Sequence, residues 1–112
     1  MLTIAQQAEA LCEKTFARIA PPSKYIAGFS TRLGRQFALH RTQQAIYCWS
    51  QVVPLTGAPA SPLRHYQASE PRNSNLNGKH CPHLQTGREV LYWKFEDTAS
   101  LQNFLHWYGE LS

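Results

Sequence analysis

Residues 65–88 form a polar stretch, HYQASEPRNSNLNGKHCPHLQTGR, in which nearly every side chain can hydrogen-bond. Arg can donate twice to the edge of guanine, and Asn can both donate to and accept from adenine. The stretch supplies Arg72, Asn73, Asn75 and Asn77 within a short span. The same residue types also form turns, because Asn bonds to its own backbone and tolerates left-handed dihedrals. Two interpretations follow, base recognition and turn formation alone.

Basic side chains surround this stretch and fill the middle of the chain. The net charge is +4, and no acidic residue lies between Lys14 and Ser69. This asymmetry predicts one basic surface and an anionic partner, although the same side chains could simply keep a hairpin in solution. The basic residues of that span are Lys14, Arg18, Lys24, Arg32, Arg35, Arg41 and Arg64.

The candidate site combines three kinds of side chain. We expect Arg32, Arg35 and Arg41 to supply positive potential, and Arg64, Lys79 and Arg88 to bind phosphates, which position a nucleic acid without reading its sequence. Tyr66, near the start of the polar stretch, is a further candidate contact. Tyr47 and Trp49 share one face of a predicted strand. If Tyr47 and Trp49 face the loop, their two rings form a stacking wall for an unpaired or flipped base. In the alternative, the loop packs over them.

Metal binding and catalysis have weaker support in the sequence. His80, Cys81 and His83 are competent zinc ligands, but no second Cys or His pair accompanies them, so we expect neither a metal nor another cofactor. The histidines could act as general acids or bases in a metal-independent nuclease. Their spacing matches no catalytic signature, and the chain lacks a Gly-rich phosphate loop, a nucleophile elbow and a dinucleotide fingerprint.

A helix is predicted at about residues 4–19. Thr3 and Gln6 have the spacing of a capping box, and apolar residues then recur at helical intervals. The proline pair at 21–22 ends the pattern, because proline has no amide hydrogen to continue the ladder.

A second helix is predicted after Asp97 or Thr98, either of which can serve as its N-cap. Its apolar positions recur at helical spacing: Leu101, Phe104, Leu105, Tyr108 and Leu111. We expect Phe104 and Tyr108 to lie in the core with Trp93 and Phe95 from the preceding segment.

Between the helices, residues 25–30, 36–41, 45–53 and 90–96 have strand patterns. The connection at 54–88 is a long polar loop, which is either functional or hides a short element. The order helix, three strands, long loop, strand, helix predicts an α+β domain. Its antiparallel sheet would have about four strands, with the helices covering one face.

Length and composition favour one folded unit. A chain of 112 residues with 43% hydrophobic and 16% charged content is typical of a single globular domain, here residues 1–112. Three scattered cysteines are a poor basis for a disulfide framework and favour a reducing compartment. With no apolar run long enough to span a bilayer and no secretory leader pattern, we expect a cytoplasmic protein without a membrane partner.

Three hypotheses of function follow from these patterns. The leading one is a small module that binds DNA or RNA through the candidate site. The second is an inhibitor or adaptor that docks on an acidic protein surface, since Arg and Tyr also suit protein interfaces. The third is a metal-independent nuclease using His65, His80 or His83. Binding is favoured over catalysis because no catalytic motif is present.

Overall fold

The computed structural model describes residues 2–42, 44–73 and 76–111. In chain order its elements are α1 (Ile4–Thr15), β1 (Ala17–Arg18), β2 (Ile26–Ser30), β3 (Gln36–His40), β4 (Ile46–Gln51), β5 (Arg64–Tyr66), β6 (Val90–Phe95) and α2 (Thr98–Gly109). The strands form one sheet in the order β1-β2-β3-β4-β6-β5, in which all neighbours are antiparallel. This confirms the predicted α+β class, with an N-terminal and a C-terminal helix around an antiparallel sheet.

The sheet has six strands rather than about four because two short edge strands were not predicted. β1 takes the place of the last predicted turn of the first helix: the chain leaves α1 at Phe16 and pairs Ala17 with Ser30 of β2. β5 lies inside the predicted long loop and pairs Tyr66 with Val90 of β6.

Both helices begin with the predicted caps. The Thr3 side chain accepts from the amide of Gln6, whose side chain in turn accepts from the amide of Thr3. Asp97 accepts from the amide of Ser100 at the start of α2. Such caps satisfy amide groups that have no partner within the helix. Neither helix in the described parts of the chain is long and apolar enough to cross a membrane.

The two helices cover one side of the sheet, called the helix face here. Alternate strand residues point to it and bury most of the apolar surface, among them Phe29, Phe37, Leu39, Cys48, Leu91, Trp93 and Phe95. Phe104 and Tyr108 of α2 pack against them, with the rings of Trp93 and Phe104 4.6 Å apart. The core roles predicted for Trp93, Phe95, Phe104 and Tyr108 are thus confirmed.

The opposite side, called the loop face, is partly covered by residues 67–89, called the polar loop. Leu76, Cys81 and Leu84 of this segment pack with residues that the sheet presents from this side. Their partners on the sheet are Ile26, Ala38, Trp49 and Val90. A segment rich in hydrogen-bonding groups therefore forms a second, smaller apolar layer.

Candidate functional site

Three tyrosines meet on the loop face where β4, β6 and β5 lie side by side; Tyr47, Tyr66 and Tyr92 are called the tyrosine patch. Side chains alternate between the two faces of a sheet, so the register decides which ones meet. Tyr92 of β6 pairs with Trp49 on one side and with Arg64 on the other, and Tyr47 pairs with Lys94. All these side chains therefore point to the same face.

The rings of the patch are in mutual contact. Tyr47 and Tyr92 are nearly parallel, with centroids 5.7 Å apart and planes at 10°. Trp49 lies 4.9 Å from Tyr92, and Tyr66 meets Tyr92 edge-on at 6.4 Å. Trp49 is almost fully buried, whereas the three tyrosines are half-buried. The loop thus packs over Trp49, and the tyrosines keep part of their ring surface accessible.

The phenol of Tyr92 stays uncharged at neutral pH. Its burial, with smaller contributions from the neighbouring Tyr47 and Tyr66 phenols, raises the pKa of Tyr92 to about 12. A group whose ionised form is disfavoured in this way carries no negative charge under physiological conditions. The Tyr92 phenol at the centre of the patch therefore does not repel an anion.

Two cations border the patch at opposite ends. The Arg64 guanidinium lies 4.3 Å from the Tyr66 centroid, and Lys94 Nζ lies 5.8 Å from the Tyr47 centroid. Both also contact carboxylates, Glu70 at 2.7 Å and Glu96 at 3.5 Å. Exposed ion pairs of this kind contribute little to stability, because water screens them. Arg64 and Lys94 can therefore exchange a carboxylate for a phosphate at little cost.

Tyr92 and Lys94 were missed in the sequence analysis. Both alternate with Trp93 and Phe95, which were expected in the core. Strand alternation alone places Tyr92 and Lys94 on the face opposite the core. What the sequence could not supply is the neighbour relationship between β4 and β6, whose pairing brings Tyr47 beside Lys94.

Arg72, a predicted base reader, is held by the backbone of the polar loop. Its guanidinium donates to the carbonyl oxygens of Gln67, Glu70, Leu84 and Arg88, using all three of its nitrogens. It also lies 5.5 Å from the Tyr66 centroid. Arg72 therefore joins both ends of the loop and packs it beside the patch.

Two of the predicted Asn readers, Asn73 and Asn77, each begin a turn of the same loop. Asn77 Oδ1 accepts from the backbone amides of Lys79 and His80, both at 2.9 Å, as a turn-forming Asn does. Asn73 is half-buried, and its backbone carbonyl accepts from Leu76. Asn75 lies outside the described residues.

The basic middle section does not form one surface with the loop. Arg41 Nε donates to Glu9 of α1 at 2.7 Å, and Arg35, the residue before β3, lies two positions from the core-facing Phe37 and so on the same face. Both therefore belong to the helix face, on the opposite side of the sheet from Arg72. Arg32 is 77% exposed at the β2–β3 turn, with Glu110 of α2 at 4.0 Å.

Lys79 and Arg88 complete the positive charge of the polar loop. Both are exposed, and neither contacts a carboxylate within the described ranges. Arg88 also lines a cleft of about 220 Å³ with Gln51, Val52, His83 and Glu89. Together with Arg64 and Lys94 they give this side of the molecule four accessible cations.

The histidines of the nuclease hypothesis occupy three different settings. His80 is buried, and its two ring nitrogens contact Asn77 Oδ1 at 3.0 Å and the Pro21 carbonyl at 2.9 Å. His65 Nε2 lies 3.1 Å from Glu89, and His83 is half-buried beside the cleft. Among residues 2–42, 44–73 and 76–111, no three His, Cys, Asp or Glu side chains converge in a way that could hold a metal ion.

No family model, no curated protein and no solved structure matches this chain.

Proposed function

We propose that this chain is a nucleic-acid-binding module and that its contact surface is the tyrosine patch with the cations around it. The observation that carries the proposal is the placement of Arg64 and Lys94 at opposite ends of three contacting tyrosine rings. Aromatic rings that can stack on bases, combined with cations that can reach phosphates, are the parts from which nucleic-acid surfaces are built.

The charge on this side of the molecule supports the proposal. Arg64, Lys79, Arg88 and Lys94 are all accessible here, and two of them make no ion pair with a carboxylate in the part of the chain that the structure describes. The acids Glu9 and Glu13 lie on α1, where they pair with Arg18. Glu70, Glu89 and Glu96 share this side with the cations, so a polyanion approaching the loop face meets a small excess of positive side chains.

The test is a titration of labelled single- and double-stranded DNA and RNA at about 50 mM and about 200 mM salt. We expect binding at micromolar protein that weakens as salt rises, because each phosphate contact releases condensed counterions. No salt-sensitive binding to any of the four probes would contradict the proposal.

A pair of lysine variants connects the binding to this surface. Lys94→Gln removes a cation beside Tyr47. We expect it to weaken binding and to reduce the magnitude of the negative slope of log affinity against log salt by about 1. Lys14→Gln is the matched control, because Lys14 is an exposed lysine at the end of α1. Equal effects of the two changes would count against the tyrosine patch as the contact surface.

The protein-binding alternative is separated by a pull-down from nuclease-treated lysate. Salt dependence alone does not distinguish nucleic-acid binding from protein binding, because charge also steers protein association. A protein partner that is retained after nuclease treatment and lost in Lys94→Gln would favour an inhibitor or adaptor. We expect no such partner to be retained.

A further inference from the structure

We infer that the tyrosine patch takes the unpaired bases of a single-stranded nucleic acid and holds them by stacking, with little discrimination among the bases. This inference rests on the proposed function and specifies its ligand. It is carried by the geometry of the rings and by the engagement of Arg72 and Asn77, which could otherwise read base edges.

The ring geometry selects unpaired bases. Tyr47 and Tyr92 have nearly parallel planes, at 10°, and both keep accessible surface on the loop face. A planar base can continue such an array only if one of its own faces is free. In a duplex, neighbouring bases already cover both faces, whereas a single strand can splay its bases onto aromatic side chains.

Two side chains suited to base edges, Arg72 and Asn77, are already engaged in the loop. All three guanidinium nitrogens of Arg72 donate to backbone carbonyls, so reading guanine would require breaking the loop. Asn77 Oδ1 accepts from two backbone amides and faces the ring of His80. Stacking and charge remain as the main contacts, and both are tolerant of sequence because every base has a π-face.

The cations place the backbone of the strand. Lys94 lies beside Tyr47, and Arg64 lies beside Tyr66, on either side of Tyr92. A strand whose bases stack on the patch would bring its phosphates within reach of both cations. Its path would run across β4, β6 and β5, at the edge of the sheet that the polar loop leaves partly open.

The experiment measures fluorescence anisotropy of labelled oligonucleotides of about 15 nucleotides, which is within the site sizes of single-strand binders. The probes are poly-dT, poly-dA, poly-dC and poly-rU strands and a duplex of the same length. We expect each single strand to bind at least about tenfold more tightly than the duplex, with the single strands within about tenfold of one another. The deoxyribose and ribose arms distinguish DNA from RNA.

Three tyrosine variants test the stacking contact. Tyr47→Leu keeps apolar bulk but removes the ring, and it should weaken single-strand binding between about fivefold and a hundredfold. Tyr47→Phe keeps the ring and should stay within about threefold of the parent chain. Tyr25→Leu is the control, because Tyr25 is an exposed tyrosine with Lys24 Nζ 5.3 Å from its ring but lies away from the patch. Thermal melts establish that each variant is folded.

The outcomes separate this inference from the proposed function. Salt-sensitive binding in which the duplex is preferred, or in which Tyr47→Leu binds like the parent, would overturn the stacking inference and leave nucleic-acid binding standing. A preference above about tenfold among the single strands would overturn the tolerance to base identity. If none of the probes binds, both the inference and the proposed function fall.

Discussion

The backbone of His80 lies directly against Gly28 of β2, on the side of the sheet away from the helices. A Cβ built on Gly28 would fall less than 3.0 Å from the carbonyl oxygen of His80. Real Cβ atoms essentially never approach another atom so closely. The ring of His80 reaches past this contact to the Pro21 carbonyl at 2.9 Å. The polar loop is therefore attached to β2. Because the loop begins after β5, three strands (β6, β4 and β3) lie between its start and this contact.

Gly28→Ala tests this attachment. We expect the variant to lose about 3 kcal/mol of unfolding free energy, because backbone atoms of the loop must move to admit the methyl group. Gly78→Ala is the control, since a Cβ there would lie 3.7 Å from the Gln85 side chain, an ordinary contact. Urea denaturation measures both variants. A loss for Gly28→Ala no larger than that for Gly78→Ala would show that the loop gives way easily.

Arg72→Lys separates a structural role from a phosphate-binding role. Lysine keeps the charge but cannot reproduce the planar fork that donates to four carbonyls. We expect faster hydrogen exchange of loop amides and a loss of about 1 to 2 kcal/mol in stability. Arg88→Lys, at an exposed position of the same loop, should leave exchange unchanged. Weakened binding with unaltered exchange in Arg72→Lys would instead assign Arg72 to the ligand.

The regular elements were predictable because their patterns are long. α1, α2 and β6 each show a cap or several repeats of one period, and local chemistry decides such elements. β1 and β5 have only two and three residues, too few to show any period. They exist because an edge of the sheet was available to pair with, and β5 pairs with a strand that begins more than twenty residues later.

The candidate site was predictable only in part. Tyr47, Trp49, Tyr66 and Arg64 do come together, but Arg35 and Arg41 alternate with core residues and lie on the other face. That separation follows from strand alternation, which the sequence analysis did not apply to the run of basic residues in the middle of the chain. The engagement of Arg72 depends on carbonyls that only the folded path of the loop brings together, so no local pattern could indicate it.

Glu9 should make the stability of the fold sensitive to acid. Burial alone would raise its pKa, but the hydrogen bonds and charges of Arg41 and Arg18 outweigh burial and lower the pKa of Glu9 below its ordinary value of 4.5. A carboxylate whose pKa is lower in the folded state stabilises the protein above the unfolded pKa. That stabilisation is lost as pH falls from about 4.5 through the folded pKa.

Glu9→Gln should therefore lower the free energy of unfolding by about 2 kcal/mol at neutral pH and reduce its decline below about pH 4.5. Glu13→Gln is the matched change, because Glu13 is 52% exposed and pairs with Arg18 at 3.0 Å. It should cost less than about 1 kcal/mol. Urea denaturation over a series of pH values measures the stability of both variants. Parallel pH profiles for Glu9→Gln and the parent would show that Glu9 is not the source of the acid sensitivity.

Tyr108→Phe should lower the stability of the fold and loosen the polar loop, because the Tyr108 hydroxyl bonds to the backbone of strand residues from the helix face while one of them, Gln36, bonds to the loop on the other face. The hydroxyl donates to the Gln36 carbonyl and accepts from the Gln51 amide, while the Gln36 side chain accepts from the amide of His83 in the polar loop. Losing the hydroxyl leaves two backbone groups without a partner, for an expected cost of about 2 kcal/mol. Tyr25→Phe, at an exposed position, should stay within about 0.5 kcal/mol of the parent. We further expect faster hydrogen exchange of the His83 amide in Tyr108→Phe than in Tyr25→Phe. Without the bond from Tyr108, the Gln36 backbone is held less firmly, and so is the hydrogen bond between its side chain and the His83 amide.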